Sequence, residues 1–121
     1  MDVLRFELPY PPSINHYYVH GAHGVVLGAK GKQYRRDVGL LLHRLRDACG
    51  SKLRLTVTIN VFPPDRRKRD LDNICKATLD ALQYARVFQD DNQIDMLTVI
   101  RRKVLPMGCL QIWISECCSS E

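Results

Sequence analysis

Apolar and polar residues alternate along two stretches of the chain with the period of a strand. Leu4, Phe6 and Leu8 alternate with Arg5 and Glu7, while Leu53, Leu55, Val57, Ile59 and Val61 alternate with Arg54, Thr56, Thr58 and Asn60. A period of two sends neighbouring side chains to opposite faces, so each run predicts a half-buried strand. Prolines close both runs, at Pro9, Pro11 and Pro12 and at Pro63-Pro64, because proline has no N–H to give a ladder. Elsewhere the period lengthens. Tyr34, Val38, Leu41, Leu42 and Leu45 recur at helical spacing after Gly31, and Gly50 is placed to end that helix. A second helix starts near Asp70, with Leu71, Ile74, Cys75, Thr78, Leu79 and Leu82 as its buried stripe. The loop Gln89-Asp90-Asp91-Asn92 follows. Two more strands are predicted over roughly 94–104 and 109–116, joined by a turn with Pro106 and Gly108. Aromatic and β-branched residues around Gly21 and Gly24 predict an irregular hairpin over 14–27.

The order is strand, hairpin, helix, strand, helix, strand, strand. The last two strands are joined by a short turn, so part of the sheet must be antiparallel. No repeat or linker interrupts the chain. The pattern therefore predicts one α+β domain over residues 1–121, a small mixed α/β domain with a partly antiparallel sheet and two main helices.

Composition narrows the class. The 121 residues are 45% hydrophobic and 26% charged, as in a folded globular chain, and the net charge of +5 favours polyanionic partners. No run of about 18 apolar residues is present, so no transmembrane helix is expected. The segment from Met1 to Phe6 lacks the apolar core of a signal peptide, which predicts a cytoplasmic protein with no membrane partner. The five cysteines (49, 75, 109, 117, 118) are odd in number and include no C-x-x-C pair. They read as reduced, small apolar side chains rather than a zinc site, with Cys117 and Cys118 near a frayed end.

Charge is concentrated in one place. In Pro63-Pro64-Asp65-Arg66-Arg67-Lys68-Arg69-Asp70-Leu71-Asp72-Asn73, four cations run directly into two carboxylates. If Asp70 is the N-cap, Asp70 and Asp72 approach a common point over the first helical turn, and Lys76 lies one turn on. Helix stability alone accounts for the acids: each contributes roughly 0.3–1 kcal/mol at an N-terminus, and an Asp72/Lys76 pair adds about 0.2–0.5 kcal/mol. It does not account for cations at the positive end of the helix dipole. Phosphates do, since Lys and Arg bind them with release of counterions. Carboxylates facing the same phosphates need a divalent cation between, and Mg²⁺ is held by one or two carboxylates plus phosphate oxygens and water. Basic run and acidic pair together predict a metal-dependent phosphodiesterase. A third carboxylate would come from the 89–95 stretch, where spacing does not separate Asp90, Asp91 and Asp95; an ordinary Asx-rich turn is the other reading. The helix face Asp72, Lys76, Asp80 and Gln83 is expected to look towards solvent or a cleft. Lys30, Lys32, Arg35 and Arg36 either extend a phosphate track or form a solvated face. His20 and His23 read as solvated loop residues. Trp113 points away from Leu110, Ile112 and Ile114 and is expected to meet a helix or a second subunit.

These residues resemble the RusA family of Holliday junction resolvases, phage- and prophage-associated endonucleases that cut four-way DNA. Pro11-Pro12-Ser13-Ile14-Asn15-His16-Tyr17-Tyr18 is similar to the family's P-P-S-x-N-x-x-Y pattern, and 64–73 to its P-D-(basic)-R-D-x-D-N segment. Lys76 and Phe88-Gln89-Asp90-Asp91-Asn92-Gln93 fall in the family's order, and the resemblance spans nearly the whole chain. It implies a Mg²⁺-dependent homodimer that nicks four-way junction DNA symmetrically in recombination and repair. Asp70, Asp72 and Asp91 are then the catalytic metal-site carboxylates, and Lys76 is the essential lysine. Arg66, Arg67, Lys68, Arg69, Asn15 and Lys76 are the residues expected on DNA. A two-fold dimer suits a junction of near two-fold symmetry. The rival reading is a non-catalytic branched-DNA-binding module whose aspartates only cap a helix.

Overall fold

The computed structural model describes residues 1–117, so Cys118 lies outside the described residues. Strand β1 (Leu4–Pro9) leads through the prolines into a single helical turn, α1 (Ile14–Tyr17), and a hairpin of β2 (Tyr18–Gly21) and β3 (Gly24–Leu27). Helix α2 (Ala29–Leu41) follows, then a 3-10 turn over His43–Leu45. Strand β4 (Leu55–Phe62), helix α3 (Leu71–Tyr84) and strand β5 (Ile94–Arg101) form a crossover unit, and β6 (Cys109–Glu116) closes the chain of elements. The main sheet runs β1-β6-β4-β5, and β2-β3 stand apart as a second, two-stranded sheet. Only β4 and β5 are parallel; β6 pairs antiparallel with β1 on one side and β4 on the other. The expected α+β domain with a partly antiparallel sheet and two main helices is what forms.

The alternation in β4 becomes a core. Leu55, Val57, Ile59 and Val61 are fully buried and share one cluster with Ile112 and Ile114 of β6, Val38 of α2, Leu82 of α3 and Phe88. Burying a side chain of this size is favourable by roughly 1.5–3 kcal/mol each. On the opposite sheet face Trp113 is uncovered by any helix; instead the Arg5 guanidinium lies 5.0 Å from its ring centroid. No helix among the described residues is long and apolar enough to cross a membrane.

Several boundaries differ from expectation, each for a local reason. The first helix starts at Ala29 rather than Gly31 and stops at Leu41, well short of Gly50. Beyond it Leu42 leaves helical geometry and the chain tightens into the 3-10 turn, so Leu42 is buried while Leu41 is exposed. Gly31 sits inside α2 because a Cβ there would come within 2.4 Å of the Tyr17 carbonyl oxygen. β4 begins at Leu55, not Leu53. β5 ends at Arg101 rather than residue 104, since Arg102 N–H donates to the Val61 carbonyl and Leu105 N–H to that of Pro63, turning the chain away.

Candidate nucleic-acid and metal site

Everything at the candidate site hangs on the start of α3. Pro63 and Pro64 stop β4, and 65–70 cross from the sheet to the helix with Asp65 as the organiser. Its carboxylate accepts the Arg67 N–H at 2.9 Å and holds the Arg69 guanidinium at 2.7 Å. Hydrogen bonds from Arg69 and Arg67 keep the Asp65 carboxyl down at about 2. Arg69 also donates to the backbone carbonyls of Asp65 and Arg67 and lies 5.6 Å from the Tyr10 ring centroid. It is therefore a brace for the loop, not the free phosphate-gripping cation expected. Arg66, Arg67 and Lys68 remain exposed, and Arg67 is 84% open to solvent at its side chain.

Asp70 occupies the N-cap position with an extended backbone, but its side chain makes no capping hydrogen bond. Its carboxylate is exposed beside that of Asp72, one Oδ of which accepts the Asn73 N–H at 2.9 Å. Helix capping accounts for neither acid in full. Both border one open hollow of about 520 Å³ together with Lys68, Arg69 and Arg101. Two carboxylates with oxygen atoms to spare suit a hard divalent cation such as Mg²⁺, which takes one or two carboxylates and fills its octahedron with water and phosphate.

Residues 50 positions apart in sequence meet here. A groove of about 500 Å³ is lined by Pro11, Pro12 and Asn15 from the first motif and by Lys68, Asp70 and Asn73 from the second. Asn15 also borders a neighbouring hollow with Tyr18, His20 and Lys76. The Lys76 ammonium stands 5.1 Å from the Tyr18 ring centroid, a cation–π contact, and no ion pair joins it to Asp72 among the described residues. Buttressing comes from the far side of α3. Asp80 receives two parallel hydrogen bonds of 2.8 Å from Arg35 and a short one from the Tyr17 hydroxyl. Neither Asp80 nor Arg35 belongs to an open charged face. The spacing of α3 gave no sign of this network, whose partners lie on separate elements.

The acidic loop resolves into three distinct roles. Asp90 caps the 3-10 turn Asp91–Gln93 by accepting the Asn92 N–H at 2.9 Å. Asp95 is tied to Arg54 at 2.5 Å. Asp91 has no ion-pair partner among the described residues, and burial and then neighbouring Asp90 push its carboxyl above the usual range. Gln93, which sequence reasoning passed over, is the pin of this loop. Its amide oxygen accepts the N–H groups of Gln89 and Asp90, and its nitrogen donates to the carbonyls of Gly50 and Leu53. The one hint in sequence was a Gln three residues after an Asp.

Asp91 does not join Asp70 and Asp72. Its N–H is held by Gln83 Oε1 near the C-terminus of α3, eleven residues beyond Asp72, or ~16 Å along the axis at 1.5 Å per residue. Accordingly, no group of three or more His, Cys, Asp or Glu able to hold a metal occurs among the described residues.

Relatives share these elements. The family model described as Endodeoxyribonuclease RusA matches residues 9–107. The Crossover junction endodeoxyribonuclease rusA of Enterobacteria phage HK97 is 40% identical over 116 residues, 96% of this chain and 97% of that protein. The proteins of that name from Escherichia coli (strain K12) and Enterobacteria phage 82 are 35% identical over the same shares. With full-length relatives at this identity, and both motifs converging on one groove, the chain belongs to the RusA family of endodeoxyribonucleases.

Proposed function

We propose that this chain resolves four-way DNA junctions by paired, symmetric nicks, as a Mg²⁺-dependent homodimer acting in recombination and repair of phage or prophage DNA. One observation carries the reading: two carboxylates free of capping duty open into a hollow beside exposed cations. Arg66, Arg67 and Lys68 hold the phosphate backbone from the rim, and Arg69 keeps their loop in shape through Asp65. Asn15 reaches the groove from the opposite wall and orients the strand. Asp70 and Asp72 hold Mg²⁺, with Asp91 as the third carboxylate. Bound there, Mg²⁺ supplies Lewis-acid polarisation of a phosphate and a more acidic water. Lys76, kept close by Tyr18, stabilises the charge that develops on the phosphate oxygens.

The test is cleavage of a mobile four-way junction in Mg²⁺ by wild type and Asp72→Asn. Loss of metal-derived stabilisation worth several kcal/mol lowers cleavage by roughly 100-fold or more, while junction binding persists. Binding by both proteins, with no cutting in Mg²⁺ or Mn²⁺, would reduce the chain to a branched-DNA-binding module. Equal cutting of linear duplex would remove the junction selectivity.

A further inference from the structure

The two halves of the carboxylate set sit at opposite ends of β5. Arg101, its last residue, donates to the Arg69 carbonyl and so attaches the Asp70/Asp72 corner to that end. Asp91 lies in the 3-10 turn that runs directly into Ile94, its first residue. Eight residues of strand separate the ends by ~23 Å at about 3.3 Å per step. Ligand oxygens stand about 2.1 Å from Mg²⁺, so one chain does not bring all three carboxylates to one ion.

β5 is also an edge strand, bonded to β4 on one side only. Exposed edges are usually blunted by charge or proline. The other edge, β1, is blunted in this way: it carries Arg5 and Glu7 and ends at Pro9. β5 is not. From Met96 to Ile100 it has no charge and no proline, and Met96 and Leu97 are 57% and 42% exposed.

We infer that β5 pairs antiparallel with β5 of a second copy across a two-fold axis, so that each active site joins Asp70 and Asp72 of one chain to Asp91 of its partner. The inference rests on the nuclease reading and deepens it. Antiparallel pairing sets the start of one β5 beside the end of the other, the only edge pairing that brings unlike ends together. It also sets the acidic Asp90-Asp91 turn of one chain against the basic corner around Arg66, Arg67 and Lys68 of the other. Those charges are complementary. Parallel pairing would oppose Arg101 to Arg101 and leave both carboxylate sets incomplete.

Mixed dimers decide it. One chain carries Asp72→Asn and the other Asp91→Asn, with two different tags for tandem purification after co-expression. In the shared arrangement one site holds both substitutions and the other is intact. The mixed dimer should then nick one strand per junction at about half the wild-type rate, while either variant alone is inert. It should also take up one tight Mn²⁺ per dimer, read by loss of the free-ion paramagnetic resonance signal. Leu97→Lys, which opposes two cations near the axis, should halve the sedimenting mass with secondary structure retained. Inert mixed dimers that bind no Mn²⁺, beside a wild type that cuts, would overturn the sharing, as would wild type cutting as a monomer. If wild type binds the junction without cutting, the nuclease reading falls, and the Mn²⁺ count alone decides whether the carboxylates are shared.

Discussion

Arg35 of α2 grips Asp80 of α3 through two parallel N–H···O bonds of 2.8 Å, and the Tyr17 hydroxyl closes the same carboxylate from α1. This triangle fixes the N-terminal motif against α3, so it sets where Asn15 stands relative to Asp70. Burial alone would raise the Asp80 carboxyl; the bonds from Arg35 and Tyr17 outweigh it, and the pKa is lowered. A depressed carboxylate stabilises the fold above its unfolded pKa, near 4, and that stability is lost as pH falls through the folded value. Asp80→Asn should therefore cost roughly 1–3 kcal/mol at pH 7, with the gap from wild type closing below about pH 4. Urea unfolding at pH 7, 5 and 3 measures it.

The basic run should divide by role when binding is followed against salt. Replacing Arg66, Arg67 or Lys68 by Ala removes one phosphate contact and flattens the slope of log K against log salt by about 0.9 each. Arg69→Ala should leave that slope almost unchanged and instead cost roughly 1 kcal/mol of stability, since its guanidinium is held by Asp65 and two carbonyls. A uniform slope change across all four would mean that Arg69 swings out onto DNA.

Gln93→Ala removes the pin of the acidic loop. Two N–H groups and two carbonyls lose their partner, at a cost of about 2–3 kcal/mol. The amides of Gln89 and Asp90 should exchange with solvent much faster than in wild type, and cleavage should fall because Asp91 is no longer held. Unchanged exchange at those two amides would show that the capping by Asp90 suffices.

What the sequence disclosed follows from range. Alternation in β4 and the stripe of α3 are local, and both appear as expected because each places one face on the core. The helix expected to run to Gly50 failed because Leu41 and Leu45 fit a helical stripe equally well whether or not the helix continues. Leu42 simply turns into a tighter coil. Arg69 looked like any other cation in its run, and only the fold of the loop shows Asp65 behind it. Arg35 and Asp80 are 45 residues apart, and Asp91 lies a strand's length from Asp70. No spacing rule connects either pair.

Strand β6 comes after every other element in the chain, yet it lies between β1 and β4 and bonds to both. Leu4 waits for Ile114, 110 residues later, before its strand has a neighbour. Such long-range pairing folds slowly, because the loop must close before any contact rewards it. During synthesis, then, β1 and the groove it leads into stay unsupported until nearly the whole chain has left the ribosome. A half-made chain lacks its central strand, so a DNA-cutting activity is withheld from every nascent copy until translation is almost done.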